Sequence, residues 1–199
     1  MQCWYECRHL TIVGGDRERS VCPRRGRGRD CAPAALDWAL LGGFSTPPLG
    51  IMQLAAPQGS ADRAWLALRL ALWPDMVEAE QLVGMADALT RGHYVRLAVT
   101  MSGSAVGFVE ASKRVDYVNG TRSSPVAFLE GIYVVQSSRR QGVARALVDS
   151  VARWAVAEGC RELASDSLLD NPAAHAAHRA LGFEETERVV YFRRPLHDA

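Results

Sequence analysis

Apolar residues are distributed in two different ways along this chain, and the change falls near residue 51. From there on, short unbroken runs of β-branched and aromatic residues alternate with longer stretches whose apolar positions recur every three to four residues. That is the pattern of strands interleaved with helices. Residues 51–54 read as a short first strand. Ser60 and Asp62 can cap a helix carrying Trp65, Leu66, Leu68, Leu70 and Leu72, which stops at Trp73-Pro74. Residues 78–91 read as a second helix with Leu82, Met85, Ala86 and Leu89 on one face and Gly92 just beyond. Residues 94–100 and 105–115 are strands joined by Ser102-Gly103-Ser104, a hairpin signal. A loop over 116–124 leads into a markedly apolar strand, and a helix over 140–158 follows with Val143, Leu147, Val151 and Ala155 in one row. Residues 162–167 read as a strand, 172–181 as the last helix and 184–193 as a closing strand pair. The order predicts a mixed α/β domain over residues 51–199.

Residues 1–50 show no sustained period. Arginine and glycine dominate 17–30, Ser45-Thr46-Pro47-Pro48 follows, and this composition predicts a poorly ordered extension. The segment holds four of the five cysteines, Cys3, Cys7, Cys22 and Cys31. Their spacing fits no common zinc pattern, so no metal is expected. Acidic Glu6, Asp16 and Glu18 interrupt any leader-like core. Because Met52 stands at the boundary, residues 1–51 are expected to be upstream sequence read in frame, or else a dispensable extension. Over the whole chain, 48% of residues are hydrophobic and the net charge is +1, which points to neither nucleic acid nor membrane as partner.

The chemistry concentrates between Val126 and Arg145. Here an apolar strand is interrupted by one carboxylate, Glu130, and runs through a short basic loop into a helix. A helix start offers unpaired N–H groups and the positive end of a dipole, and the small residues Gly142 and Ala144 let a phosphate approach. Arginine adds charge-assisted hydrogen bonds. An acid inside an apolar strand is costly unless it is paired or used, so Glu130 is either a structural ion pair or a group that grips or deprotonates an amine.

This segment resembles the acetyl-CoA motif of the GNAT acyltransferases, whose loop reads R/Q-x-x-G-x-G/A. Asn171 before the last helix and Ala180-Leu181-Gly182-Phe183 at its end match the same family. More narrowly, LWPD (72–75), DYVNG (116–120), SSPVAFLEGIYV (123–134), RQGVA (140–144), CRELASD (160–166) and ALGFEETERV (180–189) resemble bacterial aminoglycoside 6'-N-acetyltransferases. The resemblance implies the GNAT fold, a mixed and mostly antiparallel sheet flanked by helices. It implies acetyl-CoA as cosubstrate, held by the backbone of Ile132, Tyr133 and Val134, by the loop Arg140, Gln141, Gly142, Val143, Ala144 and Arg145, and by Asn171. It implies Glu130 and Asp166 as catalytic acids and as contacts for a polycationic substrate, with Trp73 and Tyr117 as aromatic walls and Glu187 as a third acid.

Each of these residues also has a plainer reading. Trp73 suits a core position, Asp166 a turn, Glu187 a solvated strand and Asn171 a helix cap before Pro172. His178 stands where many family members have tyrosine, so either it protonates the leaving thiolate or the amine's own proton does. Cys160 reads as buried and inert. The expected protein is a cytoplasmic, homodimeric aminoglycoside 6'-N-acetyltransferase. A GNAT enzyme of another amine (a polyamine or a protein N-terminus) and a non-catalytic CoA-binding regulator are the alternatives.

Overall fold

The computed structural model describes residues 52–195. The expectations for the cysteine- and arginine-rich extension lie outside the described residues. Among the described residues one five-stranded sheet runs in the order β1 (Met52–Ala55), β2 (Tyr94–Thr100), β3 (Ala105–Arg114), β4 (Val126–Val134) and β5 (Leu163–Ala164). Neighbours are antiparallel except β4 and β5, which run parallel. The helices are α1 (Arg63–Leu72), α2 (Glu78–Thr90), α3 (Val143–Ala157) and α4 (Pro172–Leu181). The mixed, mostly antiparallel sheet flanked by helices is the expected fold class.

Alternation along the strands splits the core in two. Ala98, Val109, Ala111, Leu129, Ile132 and Val134 pack against Val143, Leu147, Val148 and Val151 of α3. On the opposite face Val95, Leu97 and Phe108 meet Trp65, Leu66, Leu68 and Leu72 of α1 and Met85 and Ala88 of α2. The α3 row read from the sequence is buried throughout. Asp62 caps α1, accepting hydrogen bonds from the amides of Ala64 and Trp65 at 2.9 and 3.0 Å.

The expected face of α1 is buried at Trp65, Leu66, Leu68 and Leu72, with Leu70 partly buried against it, and Arg69 is buried beside them. The face of α2 is rotated from the expected one: it buries Gln81, Gly84, Met85 and Ala88, while Ala86 and Leu89 are exposed. Polar groups caused the misreading because they satisfy one another. Arg69 Nε donates to Gln81 Oε1 at 2.7 Å, its Nη1 pairs with Glu110 of β3, and His93 Nδ1 lies 3.4 Å from the same carboxylate. A buried ion pair of this kind survives because its partners replace lost water.

Two strand expectations are corrected. The strand at 162–167 shortens to Leu163–Ala164, and residues 184–195 form no regular structure. The expected closing strand pair does not form, and Val190, Tyr191 and Phe192 stand in solvent.

Candidate active site

β4 is irregular in two places, and both irregularities create a site. Opposite β3, Ala111 pairs with Leu129 and Glu110 with Gly131, so Glu130 has no partner in the register. It is the extra residue of a β-bulge, a device that re-aims a side chain. Opposite β5, only Ala127 and Phe128 are paired. Beyond Phe128 the two strands part. The Ala127 amide donates to Glu162 O, so it faces β5. Carrying the alternation past the one-residue bulge turns the backbone of Ile132 and Val134 toward the vacated side. Tyr133, in register with Phe108, turns its backbone to β3.

The loop after β4 leaves backbone amides open at a helix start. A short 3-10 turn over Gln136–Ser138 leads to Arg140 with φ 60° and Gly142 with φ 83°, two left-handed residues that curl the backbone. Gly142 is the N-cap of α3 and supplies no side chain, so the first-turn amides of Val143, Ala144 and Arg145 are left for a ligand or water. Arg139 is drawn back, donating from Nε to Val134 O at 2.9 Å. Gln141 Nε2 donates to Ser137 O at 2.9 Å, and Arg145 donates to Ala180 O of α4. Arg140 is exposed. Asn171 caps α4, accepting from the Ala174 amide at 3.0 Å with Pro172 behind it.

Glu130 is half-buried and bound on two sides. Arg114 Nη2 donates to its oxygens at 2.8 and 3.0 Å, and Ser112 Oγ donates at 2.5 Å. Neither partner was singled out in the sequence. Their spacing carried the signal: Glu110, Ser112 and Arg114 alternate along β3 and so share one face. Trp73 reaches this same place. A Cβ on Gly131 would lie 2.8 Å from Trp73 Cη2, so the indole rests on the bulge next to Glu130. The ring is clasped by the Arg69 guanidinium, 4.6 Å from its centroid, and meets Phe108 edge-on.

The other candidates stand further out. Asp166 is exposed just past β5, within electrostatic reach of His178. His178 Nδ1 lies 2.8 Å from Ala174 O and must donate, which leaves Nε2 to accept from Ser165 Oγ at 3.0 Å. Burial, the larger influence, holds the ring below the ordinary imidazole value. A neutral, doubly bonded His178 is a poor proton donor. Tyr117 is 78% exposed in the loop after β3, and Glu187 is exposed beyond α4. Their segments meet where Thr186 presses on Gly120. Cys160 is buried, and burial raises its thiol above the usual range, as expected of an inert cysteine. Among the described residues no group of acids, histidines and cysteines could hold a metal.

A strand that splays from its parallel neighbour, a left-handed loop and an uncapped helix start together define an acyl-CoA transferase fold. Residues 62–183 match the sequence model of the acetyltransferase (GNAT) family, and the chain belongs to that family. Within it, the chain is 54% identical over 142 residues to an aminoglycoside N(6')-acetyltransferase type 1 of Stenotrophomonas maltophilia, covering 71% of this chain and 91% of that one. The structure is similar to that of an aminoglycoside antibiotic 6'-N-acetyltransferase from Acinetobacter baumannii, with a TM-score of 0.69, 47% identity and coverage of 73% and 99%. It is equally similar to an aminoglycoside N-acetyltransferase solved in complex with CoA, at TM-score 0.69, 42% identity and coverage of 75% and 99%.

Proposed function

We propose that this protein transfers the acetyl group of acetyl-CoA to the 6'-amine of aminoglycoside antibiotics and so confers resistance to them. The observation that carries the reading is the double irregularity of β4. One edge of the strand is vacated for a thioester arm, while the bulge turns Glu130 to the face where Trp73 stands. In this reading the amides of Ile132 and Val134 position the thioester and stabilise its developing oxyanion, and the loop over 140–145 holds the pyrophosphate. Tyr133 contributes as part of the same strand, and Asn171 through its place at the start of α4.

A protonated amine enters beside Glu130 and competes with Arg114 for the carboxylate, which then takes its proton directly or through water. Asp166 adds charge on the far side of the gap. Trp73 and Tyr117 offer π-faces to a compact polycation, and Glu187 a further acid. With His178 held neutral, the proton released by the amine is the one that reaches the thiolate. Acetyl-CoA is made and consumed in the cytoplasm, which supports that location, and the protein acts there as a homodimer.

Steady-state acetylation of kanamycin, spermidine and a peptide, run side by side, tests the substrate class. Kanamycin is expected to be preferred. Preferred turnover of spermidine or peptide would reassign the substrate, and acetyl-CoA binding without turnover of any of the three would favour a regulator.

A further inference from the structure

His178 and Ser165 form a pair that amine acetylation leaves unused. The ring stands on α4 and donates from Nδ1 to Ala174 O at 2.8 Å, one turn earlier on its own helix. Nε2 must then accept, and it accepts from the Ser165 hydroxyl at 3.0 Å. Phe183 meets the ring edge-on at 5.3 Å and limits its rotation. Burial keeps the imidazole neutral, while the Ala174 hydrogen bond and, more weakly, the charge of Asp166 offset that burial and favour the protonated ring. A hydroxyl, a neutral base that holds its proton and a group that orients the base are the parts of an activated nucleophile.

The pair stands at the gap between β4 and β5. Phe128 and Ala164 are the last paired residues, so Ser165 is the first residue beyond the pairing, and it is half-buried. The helix that carries His178 is tied to the same crevice, because Arg145 of α3 donates to Ala180 O of α4. The backbone of Ile132 and Val134 turns toward this gap and would face the carbonyl oxygen of a thioester lying in it. A neutral ring is unsuited to protonating a thiolate in amine transfer. It is the form that a base requires.

We propose that Ser165 and His178 give the protein a second, amine-independent activity: hydrolysis of acyl-CoA thioesters through an acyl-Ser165 intermediate. The inference rests on the placement of acetyl-CoA along β4 given above. Ser165 Oγ bonds to the thioester carbonyl carbon as its proton passes to His178 Nε2. The C–S bond then breaks, and the imidazolium gives that proton to the CoA sulfur. In the second half a water molecule gives a proton to Nε2 and its oxygen to the acyl carbon. The ester C–O bond breaks, and Ser165 Oγ recovers the proton. The balance is acetyl-CoA and water to acetate, a proton and the CoA thiol. An ester is less reactive than a thioester, so the acetyl-enzyme is the species that accumulates.

The test uses the full chain and acetyl-CoA with no amine present. Thiol release, followed with a chromogenic disulfide, should exceed the uncatalysed rate. Acid quench and intact mass should show one added acetyl group, mapped by peptide sequencing to Ser165. Ser165→Ala and His178→Gln, with native far-UV circular dichroism and CoA affinity, should each lower thiol release by at least about a hundredfold. The mapped label on the wild-type protein decides the matter even where a variant fails to fold. Failure of acetyl-CoA to bind in calorimetry overturns the placement of the thioester, and the hydrolysis with it. Binding without thiol release, release without an acetyl group on Ser165, or release that survives both substitutions overturns the hydrolysis alone and leaves Ser165 as a hydrogen-bond partner of the ring. None of these readouts depends on which amine is acetylated.

Discussion

Adding one methyl group at Gly131 probes the site at its tightest point. A Cβ there would lie 2.8 Å from Trp73 Cη2, 3.0 Å from Cζ2 and 3.2 Å from Leu72 Cδ2. Carbon atoms rest at about 3.5–4.0 Å, so the indole must retreat by about 0.7–1.2 Å. It has little room to do so. Arg69 stacks on it at 4.6 Å, Phe108 meets it edge-on, and Leu72 is wholly buried behind it. Overpacking of this kind costs about 1–3 kcal/mol. At about 2–4 °C per kcal/mol for a domain of this size, Gly131→Ala should lower Tm by about 2–12 °C. Displacing Trp73 from beside Glu130 should also raise the aminoglycoside KM more than the acetyl-CoA KM, because Trp73 stands over the face of β4 that meets α1 while the backbone of Ile132 and Val134 turns to the edge vacated by β5. Thermal melts and initial-rate kinetics read both effects. A lower Tm with an unchanged aminoglycoside KM would make Trp73 a core residue only. An unchanged Tm would refute the contact argument itself.

Gly142→Val meets open space but must hold φ near 83°, a conformation that costs an L-residue about 1–2 kcal/mol; roughly a tenfold rise in acetyl-CoA KM is expected from steady-state kinetics, and an unchanged KM would remove the loop from the cofactor site. Glu130→Gln should reduce kcat by about 10²–10⁴-fold, whereas Arg114→Met, which frees the same carboxylate, should not; equal small losses in both would return Glu130 to a purely structural ion pair. Glu110→Gln strands Arg69 in the core and should destabilise the fold by about 3–5 kcal/mol in urea titrations, and a midpoint like wild type would show that the pair is not buried in solution. His178 is held below its ordinary value of 6.5 by burial, so the folded protein binds this proton less readily than the unfolded chain does. The contribution is therefore complete above pH 6.5 and is lost as pH falls below it. His178→Gln should flatten the loss of urea stability on moving from about pH 7.5 to 5.5, and an unaltered slope would place that loss elsewhere.

The order of strands and helices was legible because each element repeats its own period over several residues. The bulge was not, since the pairing of Glu110 with Gly131 is a property of two strands and neither sequence announces the skipped residue. The face of α2 was misplaced, and the burial of Arg69 on α1 missed, for a related reason. Hydrophobic periodicity treats Arg69 and Gln81 as surface residues, yet each supplies what the other needs to be buried. The apolar run at 189–192 was read as part of a closing strand pair, and residues 184–195 form no regular structure, because an apolar run states a propensity to pair and not the neighbour it needs. Of the candidate site, Glu130 was singled out because an acid in an apolar strand is costly to keep without use, and the loop at 140–145 because a basic helix start with small residues suits an anion. Arg114, Ser112 and Ser165, the groups that hold Glu130 and His178 in place, carry no such signal.

The sheet divides the interior into two compartments that share little. The residues packed on α3 lie under the cofactor loop, and those packed on α1 and α2 lie under Trp73. Selection for a new antibiotic can thus act on one compartment as if the other were a separate protein. Substitutions that reshape the wall at Trp73 are expected to cost stability on that side of the sheet and to change the proposed acetyl-CoA loop less. An enzyme partitioned in this way can alter its drug spectrum in small steps without passing through forms that have lost the common donor.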